Sequence, residues 1–266
     1  MIASLLKPLN EPILDWTRQR VWLIGASSGI GAALAQAMLH AGATVTVSAR
    51  RTDELAKVVG ANSNAHVVAL DASDADAWPV AMAEALSLMG GLDLIVMGAA
   101  RYDPVHSWDF KSTDIASASK SFDLNVVSIY RGLACVIPYF LEQRRGGIAM
   151  IGSISSYTGL PRAMIYGATK AAMNNLAETL YFELAPKGLA IYLVSPGFVK
   201  TPMTSGNDFE MPGLMTPAEA ARAMMVGFEK GQFEIRFPRI FGGLLRFISR
   251  LPYWIRFSIL HKTTRM

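Results

Sequence analysis

Tyr166 and Lys170 lie four residues apart in YGATK, a spacing that puts both side chains on one face of a helix. An ammonium beside a phenol lowers the phenol's pKa and makes it a usable proton donor and acceptor near neutral pH. Tyr-x-x-x-Lys arises easily by chance in a chain of 266 residues, so its meaning depends on its surroundings. Ser153 stands thirteen positions upstream of Tyr166, at the end of an apolar run that reads as a strand. A strand end and the start of the next helix meet at the carboxyl edge of a parallel sheet, where such sheets bind ligands.

A second cluster points to a phosphate. GASSGIG (25–31) follows the apolar run VWLI and opens an Ala/Leu-rich stretch. Gly25, Gly29 and Gly31 allow a tight turn and a close approach of bare backbone, and a helix starting near Ile30 offers free N–H groups and a positive dipole end. Gly25, Ser27, Ser28, Gly29, Ile30 and Gly31 are therefore a candidate phosphate cradle; a plain glycine-rich turn is the competing reading. The next β-branched run ends in SARR (48–51). An NAD enzyme has an acid near this point for the ribose 2′-hydroxyl. Arg50 and Arg51 would instead hold a 2′-phosphate by charge-assisted hydrogen bonds, so the pattern favours NADP(H) over NAD(H).

The elements that must position these residues alternate along the chain. Strands are predicted at 21–25, 44–49, 65–70, 92–97, 147–153 and 189–195, and helices at 30–41, 74–89, 121–144 (bent near Pro138), 163–185 and 216–230. The last helix opens with Thr216, Pro217 and Glu219, a capping box. Repeated strand–helix units with short connections imply right-handed crossovers and an α/β, Rossmann-type, doubly wound parallel sheet in a single domain. The uncharged stretch from Val21 to Ala49 is punctuated by glycine and serine, so it reads as strand–turn–helix–turn–strand and not as a membrane span.

Taken jointly, these motifs resemble the short-chain dehydrogenase/reductase family. The marks appear in the family's order: the glycine motif, Asn125 in LNVVS, Ser153 in GSISS, YGATK, and the Pro-Gly segment SPGFVKT (195–201), together spanning about residues 20 to 230. The resemblance implies that Tyr166 gives a proton to, or takes one from, the substrate oxygen, and that Lys170 lowers its pKa and binds the nicotinamide ribose. It also implies that Ser153 hydrogen-bonds the carbonyl and that Asn125 holds a water in a proton relay. Asp71 matches a family acid beside the adenine, and Val199 and Thr201 match positions at the nicotinamide carboxamide. One departure stands out. Where the family usually carries Asn-Asn-Ala-Gly after the fourth strand, this chain has Met97-Gly98-Ala99-Ala100. Tolerated drift with backbone contacts kept is one reading; weakened cofactor binding is the other.

The segment 203–215 occupies the place of the family's substrate lid and carries Met203, Phe209, Met211, Leu214 and Met215, which suit an adaptable apolar pocket. A hydrophobic or lipid-derived carbonyl or alcohol is the expected substrate. Beyond the catalytic domain, assigned to 1–235, a C-terminal extension (236–266) mixes aliphatic and aromatic residues with arginines. Its first helix ends at Pro252 and a shorter segment follows. From Lys230 to the end, eight Lys or Arg stand against Glu234 alone, a net +7, so the remainder of the chain is −3. A globally basic nucleic-acid binder is disfavoured. The tail suits an anionic membrane surface, or docking on the body or on another copy of the chain.

Composition bounds the rest. With 52% apolar and 17% charged residues the chain is neither disordered nor low-complexity. A single cysteine, Cys135, excludes an internal disulfide, and four scattered histidines argue against a metal site. Lys7, Pro8 and Glu11 interrupt any secretion signal, so a cytoplasmic enzyme is expected, with attachment to the inner membrane surface as a further possibility. The expected function is NADP(H)-dependent interconversion of a hydrophobic carbonyl and its alcohol by a homodimer or homotetramer. The alternatives are a non-catalytic NADP(H)-binding sensor and a membrane-recruited scaffold of the same fold.

Overall fold

The computed structural model describes residues 7–263. Residues 1–6 of the N-terminal reading and Arg265 of the basic tail lie outside them. The chain runs β1 (Arg20–Ile24), α1 (Gly29–His40), β2 (Thr44–Ala49), α2 (Thr52–Val59), β3 (Ala65–Ala69), α3 (Ala77–Met89) and β4 (Leu94–Met97). It continues through α4 (Ile115–Phe122), α5 (Ser128–Gln143), β5 (Gly146–Ile151), α6 (Met164–Leu184), β6 (Leu189–Pro196), α7 (Pro217–Glu229), β7 (Glu234–Phe237), α8 (Arg239–Ser249) and α9 (Tyr253–Thr263).

The strands form one seven-stranded sheet in the order β3-β2-β1-β4-β5-β6-β7, and every neighbouring pair is parallel. This is the Rossmann-type doubly wound sheet, with its order reversing between β1 and β4. Successive side chains of a strand point to opposite faces, so β1 needs apolar residues throughout to serve two cores. Trp22 and Ile24 enter one core with Trp78, Phe140 and Met150, while Val21 and Leu23 enter the other with Leu34, Met38, Val47 and Phe228. The buried Trp22 indole donates to Ser48 Oγ at 2.9 Å, so its one polar atom is not orphaned.

Four local features differ from the sequence reading. α2 was not anticipated. α4 begins before the expected start at 121 and joins α5 through a π-helical turn, Asp123–Val127. Pro138 sits inside α5, which continues to Gln143 and ends at Arg144 in the left-handed region (φ 54°). By length and composition Ser112–Gln143 would reach across a membrane. Its residues Ile129, Leu133, Val136 and Phe140 are instead buried against the sheet.

The fourth difference concerns the domain boundary. A division after residue 235 cuts through β7, which pairs with β6 from Glu234 to Phe237. The extension is anchored from inside the sheet. Glu234 is largely buried and accepts hydrogen bonds from the Tyr157 hydroxyl and, at 3.0 Å, from Ser195 Oγ. Its second oxygen pairs with Arg236 at 3.4 Å and with Arg246 of α8. Leu245 and Ile248 bury the inner face of α8 beside this cluster. Glu234→Ala would strand four buried or half-buried donors. Urea unfolding should show a loss of about 2–4 kcal/mol, whereas Glu234→Gln, which keeps an acceptor, should lose less.

Candidate active site

The turn after β1 is shaped by lack of room. Gly25 adopts φ +82°, and a Cβ there would lie 2.6 Å from the Ala99 nitrogen. A Cβ on Gly31 would lie 2.4 Å from the Gly25 carbonyl oxygen. The Met97-Gly98-Ala99-Ala100 segment supplies the matching surface: the Gly98 N–H donates to the Ile24 carbonyl at 2.9 Å, and only small residues fit against the turn. Ser28 caps the start of α1 in extended conformation, and Gly29 follows at φ +59°.

A cleft opens over this turn at the carboxyl edge of the sheet. Gly25, Ser28, Gly29, Ile30 and Gly31 floor one end. Arg50 and Asp71 flank it, and Ser153, Tyr166, Lys170, Val199 and Thr201 line the other end. Asn125 is buried outside the lining, and Ser27 and the exposed Arg51 also lie outside it. Arg51 donates to Ser27 Oγ at 3.2 Å, which ties the end of β2 to the glycine turn. Asp71 accepts from the Ser73 hydroxyl and backbone N–H, which hold its carboxyl below the ordinary value; the nearby Arg50 charge acts in the same direction. A glycine floor at a helix start with flanking polar groups fits a dinucleotide's phosphates and sugars.

The second group is built from β5 and α6. Ser153 follows β5, and its hydroxyl accepts from the Ser155 N–H at 3.2 Å and the Ser155 hydroxyl at 2.9 Å. Tyr166 and Lys170 sit one turn apart in α6, with Lys170 Nζ 5.5 Å from the phenol ring centre and donating to the Ile151 carbonyl at 2.7 Å. Burial dominates both side chains. It pushes the Tyr166 phenol up to about 12, opposed by a hydrogen bond with Ser153 and reinforced by Tyr102. It brings the Lys170 ammonium down to about 8. In the protein alone, burial sets the direction for both groups, and Lys170 is not among the groups that move the Tyr166 phenol.

Asn125 lies in the π-helical turn and is buried. Its side-chain oxygen accepts from the Arg101 N–H at 2.7 Å, and its amide donates to the Arg101 carbonyl at 2.9 Å and Thr169 Oγ1 at 3.1 Å. The side chain thus clamps the loop after β4 to α6. Sequence reasoning missed several residues here. Thr169 carries no local signal, and Tyr102 meets Tyr166 edge-on with ring centres 5.2 Å apart across a long sequence gap.

The expected lid segment is pinned at several points. Val199 bridges Met215, Thr204 Oγ1 donates to the Val199 carbonyl at 2.6 Å, and Asp208 pairs with Arg162 of the loop before α6. Phe198 packs against Phe209 (5.7 Å) and stacks on Phe241 of α8 (6.4 Å), so the lid and the extension share one aromatic contact. Met203 lines the cleft directly.

Comparison with known proteins accords with this geometry. A family model described as short chain dehydrogenase matches residues 19–210. The chain is similar to an uncharacterized oxidoreductase of Myxococcus xanthus, 31% identical over 218 residues, covering 80% of this chain and 85% of that protein. Among solved structures it resembles a short-chain dehydrogenase from Streptomyces avermitilis (TM-score 0.78, 27% identity, 93% of this chain and 98% of that one). It shares the fold of a Brucella melitensis 3-ketoacyl-(acyl-carrier-protein) reductase complexed with NADH (TM-score 0.75, 22% identity, 83% of this chain and 96% of that one). A glycine-floored cleft at the sheet's switch point, joined to a match over most of the chain, places this protein in the short-chain dehydrogenase family of nicotinamide-dependent oxidoreductases.

Proposed function

We propose that the protein is an NADP(H)-dependent reductase or dehydrogenase that interconverts a hydrophobic, lipid-derived carbonyl compound and its alcohol in the cytoplasm. The observation that carries this reading is the convergence of Ser153, Tyr166 and Lys170 at one end of the glycine-floored cleft. The nicotinamide supplies or accepts the hydride when bound. Tyr166, protonated across the physiological range, donates its proton to the carbonyl oxygen in reduction and recovers it in oxidation. Ser153 donates a hydrogen bond to the same oxygen as charge develops on it. Lys170 orients the ribose, and Asn125 steadies the wall behind Tyr166.

Arg50 supports the choice of NADP(H), since it lines the cleft where a 2′-phosphate would sit and no acid takes its place there. Met203 in the cleft, with Phe209 and Leu214 partly exposed on the lid, supports an apolar substrate. Exposed Phe122, Val127 and Tyr130 around α5 and Phe182 on α6 support a homo-oligomer formed through the two long helices.

Tyr166→Phe should lower turnover on a carbonyl panel by about 100-fold or more while NADPH affinity stays within about twofold. NADPH binding with no turnover by the unaltered protein on any carbonyl would favour the sensor reading instead. Arg50→Ala should weaken NADPH about tenfold with little change for NADH; equal losses would refute the 2′-phosphate assignment.

A pH test addresses the buried amine. Lys170 binds its proton less tightly in the folded chain, at about 8, than at the ordinary 10.5. Between those values the unfolded chain holds the extra proton, so the Lys170 contribution to stability rises with pH. The stability difference between the unaltered protein and Lys170→Met should therefore shift in favour of the former from about pH 8 to about pH 10.5. A flat difference in urea titrations would contradict the burial argument.

A further inference from the structure

We propose that α8 and α9 form a docking surface for an anionic lipid bilayer. The proposal extends the functional reading in one respect, the source of an apolar substrate, but the docking itself does not depend on it.

α8 is apolar on two faces. Its inner stripe, Phe241, Leu245 and Ile248, packs on the body. Its outer stripe, Ile240, Leu244 and Phe247, follows the i, i+4, i+7 spacing of one helix face, yet Ile240 is 89% and Phe247 62% exposed. A helix that only capped a soluble fold would carry polar residues there. α9 contributes no buried residue to the fold, and its Tyr253, Trp254 and Phe257 are exposed, Trp254 at 74%. It is joined to α8 by Arg256, whose guanidinium donates to the Ser249 carbonyl at 2.8 Å and lies 4.3 Å from the Tyr253 ring centre.

Charge decides between occupants. From residue 236 onward the sequence has no acidic residue, and Arg239, Arg250 and Lys262 are exposed beside the apolar stripes. Glu234, the nearest acid, is already paired inside the fold. Two copies meeting through this face about a two-fold axis would set like charges against each other. An anionic bilayer offers both complements, with acyl chains for the aromatic and aliphatic groups and headgroups for the arginines. The Phe241–Phe198 stack ties the helix that carries this surface to the segment that leads into the 203–215 region.

The test floats the full chain with phosphatidylcholine vesicles and with vesicles containing about a quarter phosphatidylglycerol. Binding should need the anionic lipid and should fall about tenfold or more between ~0.1 M and ~1 M salt, as the screening length drops from about 10 Å to about 3 Å. Phe247→Glu with Trp254→Glu should abolish flotation while leaving NADPH binding and turnover of a water-soluble carbonyl unchanged. Arg239→Glu with Arg250→Glu should remove the preference for anionic lipid. No flotation, flotation that ignores salt, or flotation retained by the Phe247/Trp254 variant would overturn the proposal. So would an assembly whose mass halves in that variant without any flotation of the parent, which would make the face an interface between copies. An unaltered protein that floats but reduces nothing would refute the catalytic reading alone.

Discussion

The turn between β1 and α1 has no space for a side chain, and much of the molecule is arranged around that fact. Gly31 closes on the backbone of Gly25, and Gly25 closes on the backbone of Gly98 and Ala99. This packing brings the carboxyl ends of β1 and β4 together where the strand order reverses, and it leaves backbone and a helix start facing the cleft. At this point the chain carries Gly98, Ala99 and Ala100, and the Gly98 N–H donates to the Ile24 carbonyl.

The Ser153, Tyr166 and Lys170 end of the cleft is largely withdrawn from solvent. Burial penalises both the phenolate of Tyr166 and the ammonium of Lys170, so neither charge is stabilised by water. The Ile151 carbonyl accepts a hydrogen bond from Lys170, and Ser153 stands beside the phenol. Behind them Asn125 binds both backbone groups of Arg101 and the Thr169 hydroxyl, holding the loop after β4 against α6. The geometry of Ser153, Tyr166 and Lys170 is thus set by a strand end and the helix that follows it, with a clamp from an earlier part of the chain behind them.

The C-terminal extension is not an appendage hung on a finished domain. Its first residues complete the sheet as β7, and Glu234 ties that strand to Tyr157, Ser195 and α8 at once. Tyr157 follows Ser153 by four residues, so the anchor of the extension and the active-site wall share one short segment. Phe241 adds a second link through Phe198 to Phe209. What remains exposed on α8 and α9 is therefore presented on a fixed mount.

Local pattern alone determined the strand–helix alternation, the glycine turn and the capping box at Thr216, because period, caps and turn chemistry are properties of neighbouring residues; the family was legible only through the resemblance of the motifs to known proteins. The serine, tyrosine and lysine were legible for the same reason, as short motifs whose spacing matches strand ends and helix turns. β7 was hidden because EIRF is four residues long and carries two charges, so its strand character comes from β6 beside it. The Glu234 contacts with Tyr157 and Ser195, the Asn125–Thr169 contact and the Tyr102–Tyr166 packing join residues 39 to 77 positions apart, and no local signal marks them. The balance of charge at Tyr166 and Lys170 was likewise undecided by sequence, since spacing shows that the two are neighbours but only the packed fold removes the water around them. The extension shows both sides: its composition was plain from the residues, but which apolar face is spent on the body and which is left outside was decided by how α8 lies on β7.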